Sequence, residues 1–344
     1  MSLWWPGWRS LAAALAIAVA VGACDDSSVA IDAGAIDAAA TDGATVRDAG
    51  TDAARVERDG AAPLDTGVPD AGADAGVRDG GTRYGTPVAL GTLAGVLPET
   101  SGIVASRTHP DVFWVENDSG NPADIYAVDR SATLLATVHL MGATNADWED
   151  LSIHEGASGD DLYVADVGDN AARMTDGVMG RAGIRVYRLA EPDPSLGDAT
   201  IAPERFDFTY PVRPYDCEAF FVDHRSGDLY FVTKEAVPAE IFVARAPLSA
   251  GATTTLEHVG TIDLDTATAA DMSRDSARIV VRGYGAIRVY PVAPGADVAT
   301  AFTSPFITAM PAAAAEAIAF EADGYGLYTV PEGVGATLFF IPSE

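Results

Sequence analysis

The chain has 344 residues, with 21 Lys plus Arg against 50 Asp plus Glu and a formal net charge of −29. That balance opposes binding to nucleic acid or flat docking on anionic lipid, because both rest on basic residues meeting phosphates. It favours solubility and cation binding. The length admits two domains, and the composition changes along the chain. Residues 25–85 carry 13 acidic and 5 basic residues, whereas the stretch from Thr86 onward carries 37 and 15, a net of −22.

Residues 1–23 open with aromatics and Arg9, followed by a small and apolar run from Leu11 to Val21. That run is short for a membrane span and fits the apolar region of a signal peptide. It ends in Val21-Gly22-Ala23-Cys24, which resembles the lipobox of bacterial lipoproteins. The resemblance implies export, cleavage before Cys24 and lipidation of Cys24, and so a chain anchored to a bacterial membrane on its periplasmic or cell-surface face. The alternative is an ordinary secretory signal that happens to precede a cysteine.

Residues 24–85 repeat Asp-Ala-Gly, at Asp32, Asp48, Asp70 and Asp74, with few large apolar side chains. Such a segment buries too little surface to offset its ordering entropy and is expected to be a disordered tether. A flexible chain of that length spans roughly 40–47 Å, enough to hold a domain clear of a membrane. With Cys24 assigned to lipid, Cys217 has no partner for a disulfide. The core of residues 86–344 must therefore hold the fold unaided, and its size suffices.

From Thr86 the chain reads as short runs of Val, Ile, Leu, Phe and Tyr separated by Gly, Pro, Asp and Asn, with no helix of 10–12 residues. Five units share one order: an acidic or small polar lead, a strand, a turn and a second strand. Aligned on Ile103, Leu151, Phe220, Met272 and Ile318, the units are 48, 69, 52 and 46 residues apart. These are propeller-blade periods with one insertion. Two further strands follow in each of the first four units, the fourth ending in Phe302–Ile307. The fifth unit lacks an outer strand, and the stretch from Pro87 to Leu93 lacks a blade. Joining them predicts an all-β, five-bladed β-propeller closed by an N-terminal strand, with a six-bladed ring as the alternative.

In this architecture the starts of the inner strands and the ends of the second strands meet at one mouth of the central channel. The inner-strand set is Glu99, Ser101, Trp148, Glu149, Asp150, Asp216, Glu218, Asp271 and Glu316. The second-strand set is Asn117, Asp118, Asp166, Asp169, Asn170, Lys234, Glu235, Arg282, Tyr284 and Glu332. So many carboxylates need a cation, protonation or basic partners to coexist. The alternative for any one of them is a structural bond to loop N–H groups of the next blade. Lys234 is the single lysine among 21 basic residues. A compact ammonium at this position suits a ligand oxygen or a carboxylate cage.

None of the five histidines is placed at the mouth, which disfavours a Ser-His-Asp hydrolase and a His-ligated zinc site. Cys217 without a nearby His reads as a buried small residue. What remains is hard-oxygen chemistry: Asp118, Asp166, Asp169 and Asn170 lie on turns of the kind Ca²⁺ prefers, although Asx residues also form turns without metal.

Jointly, Ser101 to Ile103, Asn117 to Gly120, Asp147 to Asp150, Gly168 to Asn170, Glu218 to Phe220 and Thr233-Lys234 resemble a largely uncharacterised family of exported bacterial propellers. That family is loosely similar to phytase-like or esterase-like propellers, which implies a calcium-dependent phosphoester hydrolase as one activity. Three readings follow. The first is a lipid-tethered, monomeric binding module for a small polar ligand, glycan or protein partner at the mouth. The second is a hydrolase. Phosphoester cleavage would use Ca²⁺ on Asp118, Asp166 and Asp169, with Lys234 and Arg282 on the phosphate. Glycoside cleavage would use carboxylates such as Glu149 and Glu218, with Trp148 as a stacking platform. Asp150 and Glu316 complete the candidate catalytic set, and Asn117, Glu235, Tyr284 and Glu332 the ligand-binding one. The third reading is a structural surface protein whose mouth only locks the blades together.

Overall fold

The computed structural model describes residues 83–235 and 237–344. The signal segment 1–23, Cys24 and the tether up to residue 82 lie outside the described residues. In chain order the strands are β1 (Val88–Thr92), β2 (Thr100–Ala105), β3 (Val112–Asn117), β4 (Asp124–Asp129), β5 (Leu134–Leu140), β6 (Trp148–Gly156) and β7 (Gly159–Asp166). A single helical turn, α1 (Asn170–Met174), precedes β8 (Ile184–Ala190), β9 (Ala199–Ile201), β10 (Glu204–Thr209), β11 (Cys217–Val222), β12 (Leu229–Thr233) and β13 (Ala239–Ala244). Then come β14 (Thr253–Thr255), β15 (Glu257–Ile262), β16 (Ala267–Met272), β17 (Arg278–Gly283), β18 (Ala286–Pro291), β19 (Ile307–Ala309), β20 (Ala317–Phe320), β21 (Leu327–Val330) and β22 (Thr337–Ile341).

They form five sheets, ordered β2-β3-β4-β5-β9, β6-β7-β8-β10-β14, β11-β12-β13-β15, β16-β17-β18-β19 and β20-β21-β22-β1. The N-terminal strand β1 pairs antiparallel with the C-terminal β22 and completes the fifth blade. The predicted five-bladed ring closed by an N-terminal strand is therefore the observed architecture. The closure begins earlier than Thr86: Tyr84 bridges Ser343, and Gly85 N–H donates to Pro342 O at 2.8 Å.

The core is cyclic. One hydrophobic cluster fills each of the five seams between neighbouring blades, the last joining blade five to blade one through Ala317, Ala319 and Tyr328 against Ile103, Phe113 and Val115. Inner strands are packed on both faces, so β2, β3, β11, β12 and β16 are buried throughout. That is why they read as near-continuous apolar or small runs rather than alternating ones.

Three details differ from the sequence expectation. Blades one and two gain a fifth, outermost strand, β9 and β14, paired in parallel. Each is three residues long and largely exposed, so no apolar pattern announces it, but each covers an open edge. The fourth outer strand is not Phe302–Ile307: Val298–Thr303 is a 3-10 helix capped by the Asp297 side chain, and β19 follows it. The fourth unit is also displaced by two residues. Ala270 on β16 faces Val281, as Leu151 faces Val164 and Phe220 faces Phe231. The equivalent positions are thus Ile103, Leu151, Phe220, Ala270 and Ile318, spaced 48, 69, 50 and 48 residues apart. The Ala-rich sequence of β16 has no large residue before Met272, which draws the alignment there. Asp271 accordingly lies two residues further from the mouth than Asp150, towards Arg107 at the other end of the channel.

Candidate acidic site at the mouth of the ring

A repeated β-bulge builds the mouth. In each of β2, β6, β11 and β16 the pairing with the second strand slips near the strand start, leaving one extra residue. The bulged residues are Glu149 between Trp148 and Asp150, Glu218 between Cys217 and Ala219, Thr268 between Ala267 and Ala269, and the Ser101-Gly102 step. A bulge re-aims the side chain of its extra residue. Here it takes the residue out of the inter-blade seam, and in blade five Glu316 stands at the same level, just before β20.

These residues meet. Ser101 Oγ donates to Glu149 Oε2 at 3.1 Å. Oxygens of Asp118, Asp147 and Glu149 lie within 4.8 Å of one another, and so do those of Glu149, Asp216 and Glu218. Glu149 belongs to both trios. Lys234, just past β12, places Nζ 2.5 Å from Glu218 Oε2 and 5.0 Å from the centre of the Tyr284 ring. Gly168 closes the cage from the side. A Cβ there would stand 2.0 Å from Glu149 Oε1 and 2.7 Å from Asp147 Oδ2, so only glycine leaves room for both carboxylates.

Burial controls the electrostatics. Glu149 and Glu218 are each 3% exposed. Burial, then the charges of Glu218, Asp118, Asp147 and Asp216, drive Glu149 well above the carboxylate range. Burial pushes Glu218 up to about 8 although the Lys234 ammonium opposes it. Asp147 rises to about 6, through burial and then Asp118. Burial disfavours the charge on Lys234, but Glu218 and Glu316 outweigh it and hold the ammonium above its ordinary range. Burial and the charge of Glu316 likewise raise Glu332. Asp216 Oδ2 and Glu316 Oε2 are both buried without a hydrogen-bond donor, although Arg173 Nε stands 3.3 Å from the former.

Other sequence candidates have different work. Asp150 is fully buried one layer down: Oδ2 accepts from Phe220 N and Ala270 N, both at 2.9 Å, and Oδ1 from Leu151 N at 2.9 Å. It ties the inner strands of blades two, three and four together, and Asp271 does the same for Phe320 N at 2.8 Å. Trp148 is 0% exposed, donates Nε1–H to Thr144 O at 3.0 Å and packs in the seam between blades one and two, so it offers no stacking platform. Asp166 pairs with Arg181 at 2.7 Å and Arg185 at 3.7 Å. Asp169 caps α1, accepting from Ala172 N at 3.0 Å, and Asn170 accepts from Arg173 at 3.0 Å. Of the predicted metal residues Asp118, Asp166, Asp169 and Asn170, only Asp118 joins the cage.

Arg282 is buried, with burial lowering it to about 10, and donates to Thr329 Oγ1 and to Ala313 O at 3.0 Å. Asn117 Oδ1 accepts from Glu99 N at 3.2 Å, and Glu235 stands 3.5 Å from Arg213. Cys217 is buried, with its thiol raised by that burial. Asp147 and Asp216 are cage members that the candidate sets passed over as ligands. Their signal was position alone, immediately before inner strands.

Neither a family model nor a curated protein matches the chain. Among solved structures it is similar to a chain of the nidogen/laminin complex, with a TM-score of 0.43 and 9% identity, over 68% of this chain and 73% of that one. It is also similar to hydrazine synthase of Kuenenia stuttgartiensis, with a TM-score of 0.37 and 14% identity, over 68% of this chain and 56% of that one. These are likenesses of fold.

Proposed function

We propose that the chain is an exported binding propeller, lipid-anchored through Cys24, whose mouth holds a divalent cation and presents it to a small polar ligand, glycan or partner. The observation that carries this reading is the double trio on Glu149. Five carboxylates are gathered with one ammonium, and oxygens within 4.8 Å of one another match donors around a Ca²⁺ bound at about 2.3–2.6 Å. An all-oxygen set suits Ca²⁺ better than zinc or copper. Asp216 Oδ2, which receives no hydrogen bond and has only the Arg173 charge beside it, is a further donor. Glycoside chemistry fits less well, because a sugar ring has no access to carboxylates as buried as Glu149 and Glu218.

Linkage gives the test its sign. Carboxyls raised in the folded state bind more protons than in the unfolded chain. Their contribution to stability is therefore full below about 4.3 and lost as pH rises toward the value of about 8 held by Glu218. Without divalent cation the protein should melt at lower temperature at pH 8 than at pH 5. Saturating Ca²⁺ at 100 times its Kd should then add about 2.7 kcal/mol, or roughly 5–10 °C, at pH 8 and much less at pH 5. Glu149→Gln should remove the cation effect while raising the melting temperature in chelator. Equal melting in Ca²⁺ and in chelator at pH 8 would sink the reading.

A further inference from the structure

The far end of the ring carries a second candidate site of opposite chemistry. The loops from each first strand to its second converge there, bringing Arg107 after β2, Glu155 and Asp160 at the β6–β7 turn, His224 after β11 and Arg274 after β16 to one cavity of about 310 Å³. Thr108 and Ser276 add hydroxyls to its lining. The chain carries a net −29, yet no carboxylate among the described residues pairs with Arg107 or Arg274. Asp271 is spent on Phe320 N and Met272 N, and Asp160 accepts from Thr108 Oγ1 at 3.1 Å.

Among the described residues, the one hydrogen-bond partner of the Arg107 guanidinium is His224 Nε2, and that same nitrogen lies 3.0 Å from Met272 O. A ring nitrogen either donates or accepts. If it donates to Met272 O, the guanidinium faces another donor; if it accepts from Arg107, the carbonyl loses its donor. Burial, and to a smaller degree the charge of Arg274, disfavour the Arg107 cation, while the charges of Asp271, Asp160 and Glu155 support it without a direct hydrogen bond; burial, then Arg107 and Arg274, in turn lower His224. His224 Nε2 cannot serve both, so one of the two contacts is left without its complementary partner.

We propose that this cavity binds a small oxyanion group, phosphate or carboxylate, between Arg107 and Arg274, with the Ser276 hydroxyl completing its hydrogen bonds. Guanidinium groups are the side chains best matched to such oxygens. An anion there supplies the acceptor that Arg107 lacks and frees His224 to donate to Met272 O. The rim carboxylates Glu155 and Asp160 disfavour large polyanions, so a compact ligand is selected.

The test is titration calorimetry of the full-length protein with inorganic phosphate and, separately, with acetate, at constant ionic strength set by chloride. At least one should bind saturably, with one site per chain. Arg274→Ala, at an exposed position with no side-chain hydrogen bond among the described residues, should weaken that binding at least tenfold. Glu149→Gln, at the other end of the ring, should leave it unchanged. No saturable binding of either anion would overturn the proposal, and so would binding that survives Arg274→Ala undiminished.

Discussion

Asp150→Ala should be the most destabilising single substitution in the mouth region, costing about 3–9 kcal/mol in chemical denaturation. It strips the acceptor from three buried N–H groups, those of Leu151, Phe220 and Ala270, at about 1–3 kcal/mol each. Against a total stability of about 5–15 kcal/mol, the variant is at the limit of folding. Asp150→Asn keeps one carbonyl oxygen but sets an amide N–H₂ against a donor, and should fall between the two. The measurement separates two roles. A residue that served only a ligand at the mouth would leave the unfolding midpoint of the ligand-free protein near wild type.

Lys234→Met should cost about 3–5 kcal/mol at pH 8, the usual penalty for leaving a buried charge without its partner. Glu218 loses its 2.5 Å contact, and Glu316 loses its neighbouring cation. The cost should shrink at pH 5, because Glu218, held at about 8, is then protonated and needs no counter-charge. It should also shrink in saturating Ca²⁺, since the ammonium and the metal compete for the same carboxylates. A loss equal at pH 5 and pH 8 would show that Lys234 acts through packing and not through charge.

Much of the ring was legible because propeller inner strands carry a strong signal. Runs such as Ala219-Phe220-Phe221-Val222 are buried on both faces and cannot be mistaken for surface strands. The closing partnership of β1 with β22 followed from counting strands, since an unpaired N-terminal strand and an incomplete last blade leave two open edges. The mouth as a place was legible for the same topological reason, and Glu149, Glu218 and Lys234 do meet there.

Depth was not legible. Adjacent residues Glu149 and Asp150 are chemically alike, but a bulge sends one into the cage and leaves the other tying blades together. No composition or period encodes that slip. The arginines that occupy Asp166, Arg181 and Arg185, come from later in the chain, so a turn rich in Asx residues read as a metal loop when its carboxylates were already paired. The register of β16 was lost because alanine carries little pattern.

Native mass spectrometry of the full-length protein, exchanged first into chelator and then into Ca²⁺, tests most directly whether the Glu149 trios hold a cation. The expected result is one additional Ca²⁺ per chain in the wild type and none in Glu149→Gln, with the wild-type ion lost again in chelator. A wild-type mass unchanged by Ca²⁺, or an ion retained equally by Glu149→Gln, would contradict the claim.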